Sequence, residues 1–186
     1  MKTLLGAHKL GRLVVYVKLS NQIEGSIAEV GVYKGGSAEA IAKNKRSDKR
    51  LFLFDTFEGM PETCDKDNYH KRGDFADTSM ESVQAGLAKY KNVHIHKGLF
   101  PQDTGHFVAE ERFSLVHIDV DIYRSYMDTL EFLWPRVVRG GVVVMDDYNG
   151  KACLGAKAAV DEFFSSRRES LVWACQSQVC VVKGSD

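Results

Sequence analysis

From Ser114 to Asn149 the chain reads SLVHIDVDIYRSYMDTLEFLWPRVVRGGVVVMDDYN, in which two apolar runs each end in acid. Leu115–Ile118 and Val142–Met145 are short, rich in β-branched residues and free of formal charge. That composition predicts strands buried on both faces of a parallel sheet. Between them Met127, Leu130, Leu133, Trp134 and Val137 recur at helical spacing, and Arg139-Gly140-Gly141 is expected to stop that helix. The unit is therefore β-α-β. Open α/β sheets bind ligands beyond the carboxyl ends of their strands, where this chain places Asp119, Asp121, Asp146 and Asp147. Four clustered like charges are unfavourable unless a cation neutralises them or some take up protons. A hard-metal site is expected there.

Upstream, Ser26–Val30 reads as a short strand and Ala38–Lys43 as the start of a helix, joined by Gly31-Val32-Tyr33-Lys34-Gly35-Gly36-Ser37. Glycine serves where backbone must approach a ligand or take positive φ, and the helix N-terminus behind it offers free N–H groups to a carboxylate or phosphate. The loop matches neither the phosphate-cradling G-x-x-x-x-G-K-[ST] pattern nor the G-x-G-x-x-G dinucleotide fingerprint. Leu51–Phe54 is a second buried strand and ends in Asp55, where a carboxylate can accept two hydrogen bonds from a ribose diol.

Residues 1–20 carry apolar side chains at helical spacing and predict a helix laid against the domain edge. Residues 56–79 are polar and aperiodic, too long for a mere connector, and are assigned to acceptor recognition and cofactor covering. Met80–Tyr90 and Leu154–Phe164 read as helices and Val93–His96 as a strand; Ser170–Ala174 and Val179–Lys183 suit an antiparallel hairpin across Gln-Ser-Gln. His94 and His96 share a strand face and are expected to be satisfied or solvent-facing. His117 is expected to be a buried histidine beside the acids and not the base.

At 186 residues the chain fits one domain, 1–186, with a core that needs no metal or disulfide staple. Lysine plus arginine and aspartate plus glutamate number 25 each, so no global field calls for nucleic acid or an anionic membrane. The expected partner is small. Cys64, Cys153, Cys175 and Cys180 form no C-x-x-C pair, and no apolar run approaches a membrane span, so a reduced, cytoplasmic protein is expected.

The blocks EVGVYKGGSA (Glu29–Ala38), LFLFDTFEGMP (Leu51–Pro61), GDFADTS (Gly73–Ser79), HIDVDIY (His117–Tyr123) and GGVVVMDDY (Gly140–Tyr148) together resemble the macrocin O-methyltransferase (TylF-like) family. The resemblance implies a Rossmann-like class I methyltransferase fold: an α/β architecture with a mostly parallel seven-stranded sheet, an antiparallel last strand and helices on both faces. It implies S-adenosylmethionine as cofactor, a divalent cation, expected to be Mg²⁺, and transfer to a hydroxyl of a small acceptor such as a sugar. Matched by position, Asp119, Asp146 and Asp147 would hold the metal and Asp121 would be the general base. Gly31, Gly35, Gly36 and Ser37 would surround the methionine end of the cofactor, with Glu29 near its ammonium and Asp55 on its ribose. Antibiotic-tailoring members carry a longer segment ahead of the glycine motif that helps to form a lid. A different acceptor, or a second subunit of a homo-oligomer supplying the cover, is the corresponding expectation. Two readings compete: a nucleotide-sugar glycosyltransferase using Asp-x-Asp, and a non-catalytic nucleotide-binding module.

Overall fold

The computed structural model describes residues 1–184. Its sheet follows from the two runs around the acids. In β4 (Phe113–Ile118) and β5 (Val137–Met145), Leu115, Val142 and Val144 join one apolar cluster while Val116, Val143 and Met145 join another. Successive side chains of a strand point to opposite faces, so a strand covered on both sides shows no polar alternation. Five parallel strands lie in the order β3 (Val93–Lys97), β2 (Leu51–Asp55), β1 (Ser26–Val30), β4, β5. The sheet continues through β7 (Gln178–Val182), antiparallel to β5, to β6 (Val172–Cys175) at the edge.

The helices α1 (Ala7–Ser20), α2 (Gly36–Asn44) and α3 (Met80–Leu87) cover one face, through Leu13, Val17, Ile41 and Val83. On the other face α4 (Tyr123–Leu133) and α5 (Leu154–Phe164) bring Tyr126, Leu130, Val160 and Phe163 against the sheet. This is the seven-stranded, mostly parallel architecture expected from the sequence. Strand order reverses between β1 and β4, and the crevice beyond that point is where such sheets bind ligands.

Local expectations need three corrections. The helix after Asp121 ends at Leu133, not at the glycine pair: a short 3-10 turn, Trp134–Arg136, follows, and Pro135 lacks the N–H that would continue the ladder. Residues Val137–Gly141 already belong to β5. Gly140, at φ 77, carries the irregularity by which the pairing passes from Phe113↔Val137 to Leu115↔Val142. The N-terminal helix begins only at Ala7, and it packs on α2, β4, β5 and the edge strand β6 with Leu13 and Val17 fully buried, so it reaches the expected edge but also covers the sheet's centre. Residues ahead of it lie along the cavity described next. The helix expected over Met80–Tyr90 closes at Leu87; its start is capped by Ser79, whose Oγ accepts from the Ser82 N–H at 3.2 Å.

Candidate active site

A cavity of about 220 Å³ opens beyond the carboxyl ends of β1, β2 and β4. Gly31, Gly36, Ser37 and Asp55 contribute to its wall at the glycine loop, and Asp119, Asp121 and Asp147 contribute at the ends of β4 and β5. Gly31 has φ 89, and a Cβ there would fall 1.9 Å from the Asp119 carbonyl oxygen. Only glycine lets the ends of β1 and β4 come this close. Gly35, at φ 77, caps α2 from the left-handed region and turns the chain into the helix without lining the cavity. The backbone of Lys2 and the Cβ of Thr3 rest on Gly36, so residues 2–5 form part of the wall over the start of α2.

Asp55 is the joint between β2 and this loop. Its Oδ2 accepts from the Val32 and Tyr33 N–H groups, each at 2.8 Å, and its Oδ1 from the Phe57 N–H at 2.7 Å. A carboxylate has roughly four acceptor sites, so about one remains for a ligand hydroxyl. The residue expected on a ribose thus also holds the loop in shape.

Asp119, Asp121 and Asp147 each present a carboxylate oxygen within 4.8 Å of the others. Asp121 and Asp147 sit at φ 60 and 58, a left-handed conformation that aspartate tolerates better than most residues. Burial first, then the charges of Asp146, Asp147 and Asp121, push the Asp119 carboxyl well above its ordinary value. Burial and Asp147 raise Asp121 to about 6. The ammonium of Lys9, reaching in from α1, lies 2.9 Å from Asp146 Oδ1 and 3.0 Å from Asp147 Oδ1. Burial would lower the Lys9 pKa, but these two carboxylates outweigh it and raise the value. The Asp146 oxygen touching Lys9 is buried, and among the described residues this ammonium is the group that meets it. A set of hard carboxylate donors already gathered around one positive charge fits a divalent cation of the magnesium class. Lys9 is the charge that stands beside them here.

Behind the cavity lies a row of ionisable groups that is closed to solvent. His117 on β4 makes contacts at 2.8 Å to Glu29 Oε1 through Nδ1 and at 2.9 Å to Asp146 Oδ2 through Nε2, and all three side chains are fully buried. Burial opposes a charged imidazole, but the bonds to Asp146 and Glu29 prevail and raise His117 to about 10. Asp146 moves the opposite way: burial is outweighed by His117 and Lys9, and its carboxyl is lowered. Gln178 of β7 donates to Asp146 Oδ2 at 3.0 Å, and the Tyr126 hydroxyl donates to the Ile118 carbonyl at 2.9 Å, fixing the ends of both strands. Glu29, expected at the cofactor ammonium, does not line the cavity. It acts on the site only through His117, which is buried among the acids as expected.

The segment 56–79 carries no helix or strand and is nonetheless stitched down. Met60 N–H donates to the Asp74 carbonyl at 2.7 Å, Asp67 Oδ1 accepts from the Tyr123 N–H at 2.9 Å, and Asn68 Oδ1 accepts from the Leu154 N–H at 3.1 Å. Thr56, Gly59, Met60, Pro61 and Phe75 line the cavity. His94 is an exposed strand residue, whereas His96 is half-buried and stacks 4.2 Å from Phe107 between ring centroids, with Nε2 lacking a hydrogen bond. Its expected satisfaction is therefore aromatic, not polar. All four cysteines are free, and among the described residues no helix is long and apolar enough to cross a membrane.

The macrocin O-methyltransferase (TylF) family model matches residues 1–171. Among curated proteins, the chain is 30% identical to the 8-demethyl-8-(2,3-dimethoxy-alpha-L-rhamnosyl)-tetracenomycin-C 4'-O-methyltransferase of Streptomyces olivaceus, over 83% of this chain and 65% of the relative. It is 31% identical to the mycinamicin III 3''-O-methyltransferase of Micromonospora griseorubida, over 87% of this chain and 69% of that protein. The chain thus spans about two thirds of the length of the curated relatives it matches. Among solved structures, the O-methyltransferase NovP superposes with a TM-score of 0.83 at 26% identity, covering 98% of this chain and 82% of the other. A family match over nearly the whole chain, on a sheet with its cavity at the switch point, leaves one assignment: the chain belongs to the macrocin O-methyltransferase (TylF) family.

Proposed function

We propose that this chain catalyses methyl transfer from S-adenosylmethionine to a hydroxyl of a small glycosylated metabolite, assisted by a divalent cation, Mg²⁺ by chemistry. The observation that carries the reading is the shared cavity: the glycine loop and α2 N-terminus enter it together with Asp119, Asp121 and Asp147, whose oxygens lie within 4.8 Å of one another, while Asp146 stands buried behind them and meets the same Lys9 ammonium as Asp147. Names of the relatives point to hydroxyl oxygens of glycosylated natural products as acceptors. Bound S-adenosylmethionine supplies an electrophilic methyl group. The free N–H groups at the start of α2, around Gly36 and Ser37, suit its carboxylate, and the remaining acceptor site of Asp55 suits a ribose hydroxyl.

Asp119, Asp146 and Asp147 would hold the cation, with His117 fixing Asp146 from behind. A divalent cation there supplies charge that lowers the pKa of a nearby hydroxyl and fixes its orientation. Lys9 must then give up its place between Asp146 and Asp147. Asp121, the carboxylate of the cluster that faces the cavity and is not needed to hold the cation, takes the acceptor's proton. In this reading Asp119-Val120-Asp121 divides two tasks between two acids and is not a clamp for a nucleotide diphosphate.

The test measures cofactor and metal separately. S-adenosylhomocysteine at about 100 times its dissociation constant should stabilise the fold by about 2.7 kcal/mol, and NAD at that concentration should do little. Methyl transfer to a panel of glycosides should stop in chelator and resume with Mg²⁺. Stabilisation by NAD and not by S-adenosylhomocysteine would overturn the cofactor, and full activity in chelator would overturn the metal.

A further inference from the structure

Beside the carboxylates, and sharing one of them, three donors of different hardness converge from three separate segments: His70 from the 56–79 stretch, Asp121 after β4 and Cys153 just before α5. Cys153 Sγ lies 3.6 Å from His70 Nε2 and 3.4 Å from Asp121 Oδ1, and His70 Nε2 lies 3.8 Å from Asp121 Oδ1. These separations are long for good hydrogen bonds. They are close to the edges of a coordination tetrahedron: ligands at about 2.3 Å for sulfur and about 2.0–2.1 Å for nitrogen or oxygen stand roughly 3.3–3.6 Å from one another. Little movement of the chain is needed to close the triangle on an ion.

The surroundings agree. Cys153 is 6% exposed and the His70 side chain 9%, whereas Asp121 lines the cavity and leaves that side open for a fourth ligand. His70 Nδ1 is buried without a hydrogen bond, and its nearest acid is Asp74, with Oδ2 at 3.5 Å. A carboxylate behind the second ring nitrogen is the usual support of a metal-binding histidine. Nothing in the proposed methyl transfer uses His70 or Cys153.

We propose that Cys153, His70 and Asp121 form a second cation site, for zinc or another thiophilic divalent ion, distinct from the all-oxygen site and open to the cavity at its fourth position. Sulfur and imidazole donors select zinc-class ions and reject Mg²⁺, which takes oxygen ligands. On binding, the Cys153 thiol releases its proton to solvent and sulfur bonds to the ion. Resting on the reading of Asp121 as base, the site is inhibitory, because a carboxylate bound to zinc can no longer accept the acceptor's proton. It also ties the 56–79 segment to the ends of β4 and α5.

The experiment titrates Co²⁺, a spectroscopic substitute for Zn²⁺, into the metal-free chain in the presence of excess Mg²⁺. A thiolate-to-cobalt charge-transfer band and intense tetrahedral visible bands are expected at one ion per chain. Cys153→Ser should lose the charge-transfer band, His70→Gln should weaken Co²⁺ binding at least tenfold, and Asp74→Asn should weaken it about tenfold. Zn²⁺ should inhibit methyl transfer by the wild type in excess Mg²⁺ and spare Cys153→Ser. Absence of the charge-transfer band in the wild type, or its persistence in Cys153→Ser, overturns the site. A band without zinc inhibition retains the site and overturns only its inhibitory role. The spectra do not depend on turnover, so failure of the methyltransferase reading is seen separately.

Discussion

Replacing Lys9 by methionine keeps an unbranched apolar stem of similar length and removes the ammonium that bridges Asp146 and Asp147. The Lys9 side chain is 12% exposed, Asp146 not at all and Asp147 23%. Breaking a fully buried pair costs about 3–5 kcal/mol; partial access of water to Lys9 and Asp147 puts this one near the lower end, about 3 kcal/mol. In a domain of this size each kcal/mol moves the melting temperature by roughly 2–4 °C, so Lys9→Met should melt roughly 6–12 °C below the wild type in chelator. Mg²⁺ should restore most of that loss, since saturation at about 100 times the dissociation constant is worth about 2.7 kcal/mol. Wild type should gain less, because the ion must first displace the ammonium, and calorimetry should find tighter Mg²⁺ binding in the variant. Equal melting of the two proteins in chelator would refute the charge argument. A destabilised variant that Mg²⁺ fails to rescue would refute the cation site itself.

Three further outcomes are expected. Asp121→Asn should lower methyl transfer by roughly 10²–10⁴-fold while Mg²⁺ and S-adenosylhomocysteine titrations stay near wild type; lost metal binding would make Asp121 a ligand instead. Asp121 at about 6 folded, against about 3.9 unfolded, binds its proton more tightly in the native state, so its contribution is complete below pH 4 and is lost as pH rises through 6. Asp119 is displaced in the same direction, whereas Asp146 is lowered and works against both, so the measurement is a difference: across that window the metal-free wild type should lose about 2 kcal/mol relative to Asp121→Asn by denaturant titration. Mg²⁺ should flatten the slope, and a slope unchanged by Mg²⁺ would refute it. Gly31→Ala should cost upward of roughly 3 kcal/mol, because its Cβ meets the Asp119 carbonyl, whereas Gly73→Ala, also at positive φ but with open space around it, should cost about 1 kcal/mol.

Strand ends were legible in the sequence because Asp55, Asp119 and Asp146 interrupt uncharged runs, and the end of a buried strand is where a charge can first reach solvent or a ligand. Val137-Val138-Arg139-Gly140-Gly141 was not, since two valines continue a helical stripe as well as they begin a strand, and only pairing with Phe113 decides between them. Glu29 was placed at the cofactor's ammonium by the family resemblance alone, although an acid inside Ser26–Val30 demands a partner. Its partner was available: Glu29 precedes Gly31 as His117 precedes Asp119, and the parallel register places Glu29 opposite His117. Lys9, His70 and Cys153 gave no local signal. Each reaches the acids only when α1, the 56–79 segment and the start of α5 dock, and a linear pattern does not encode that.

The buried row of Glu29, His117 and Asp146 also acts as a proof-reader of strand pairing. Valines 142, 143 and 144 cannot by themselves tell one register from the next, because a slip of one residue sets valine where valine stood. The same slip of β4 turns His117 to the opposite face and leaves Glu29 and Asp146 buried without their imidazole. An ionised group deserted in this way costs about 3–5 kcal/mol, a large part of a domain's whole stability, so mispaired sheets are penalised as the helices close over them and exclude water. A chain with His117→Leu and Glu29→Leu should therefore refold into a mixture, visible as doubled amide resonances from β4 and β5. The polar residues at the heart of this sheet would then be what allows its valine-rich centre to be so uniform.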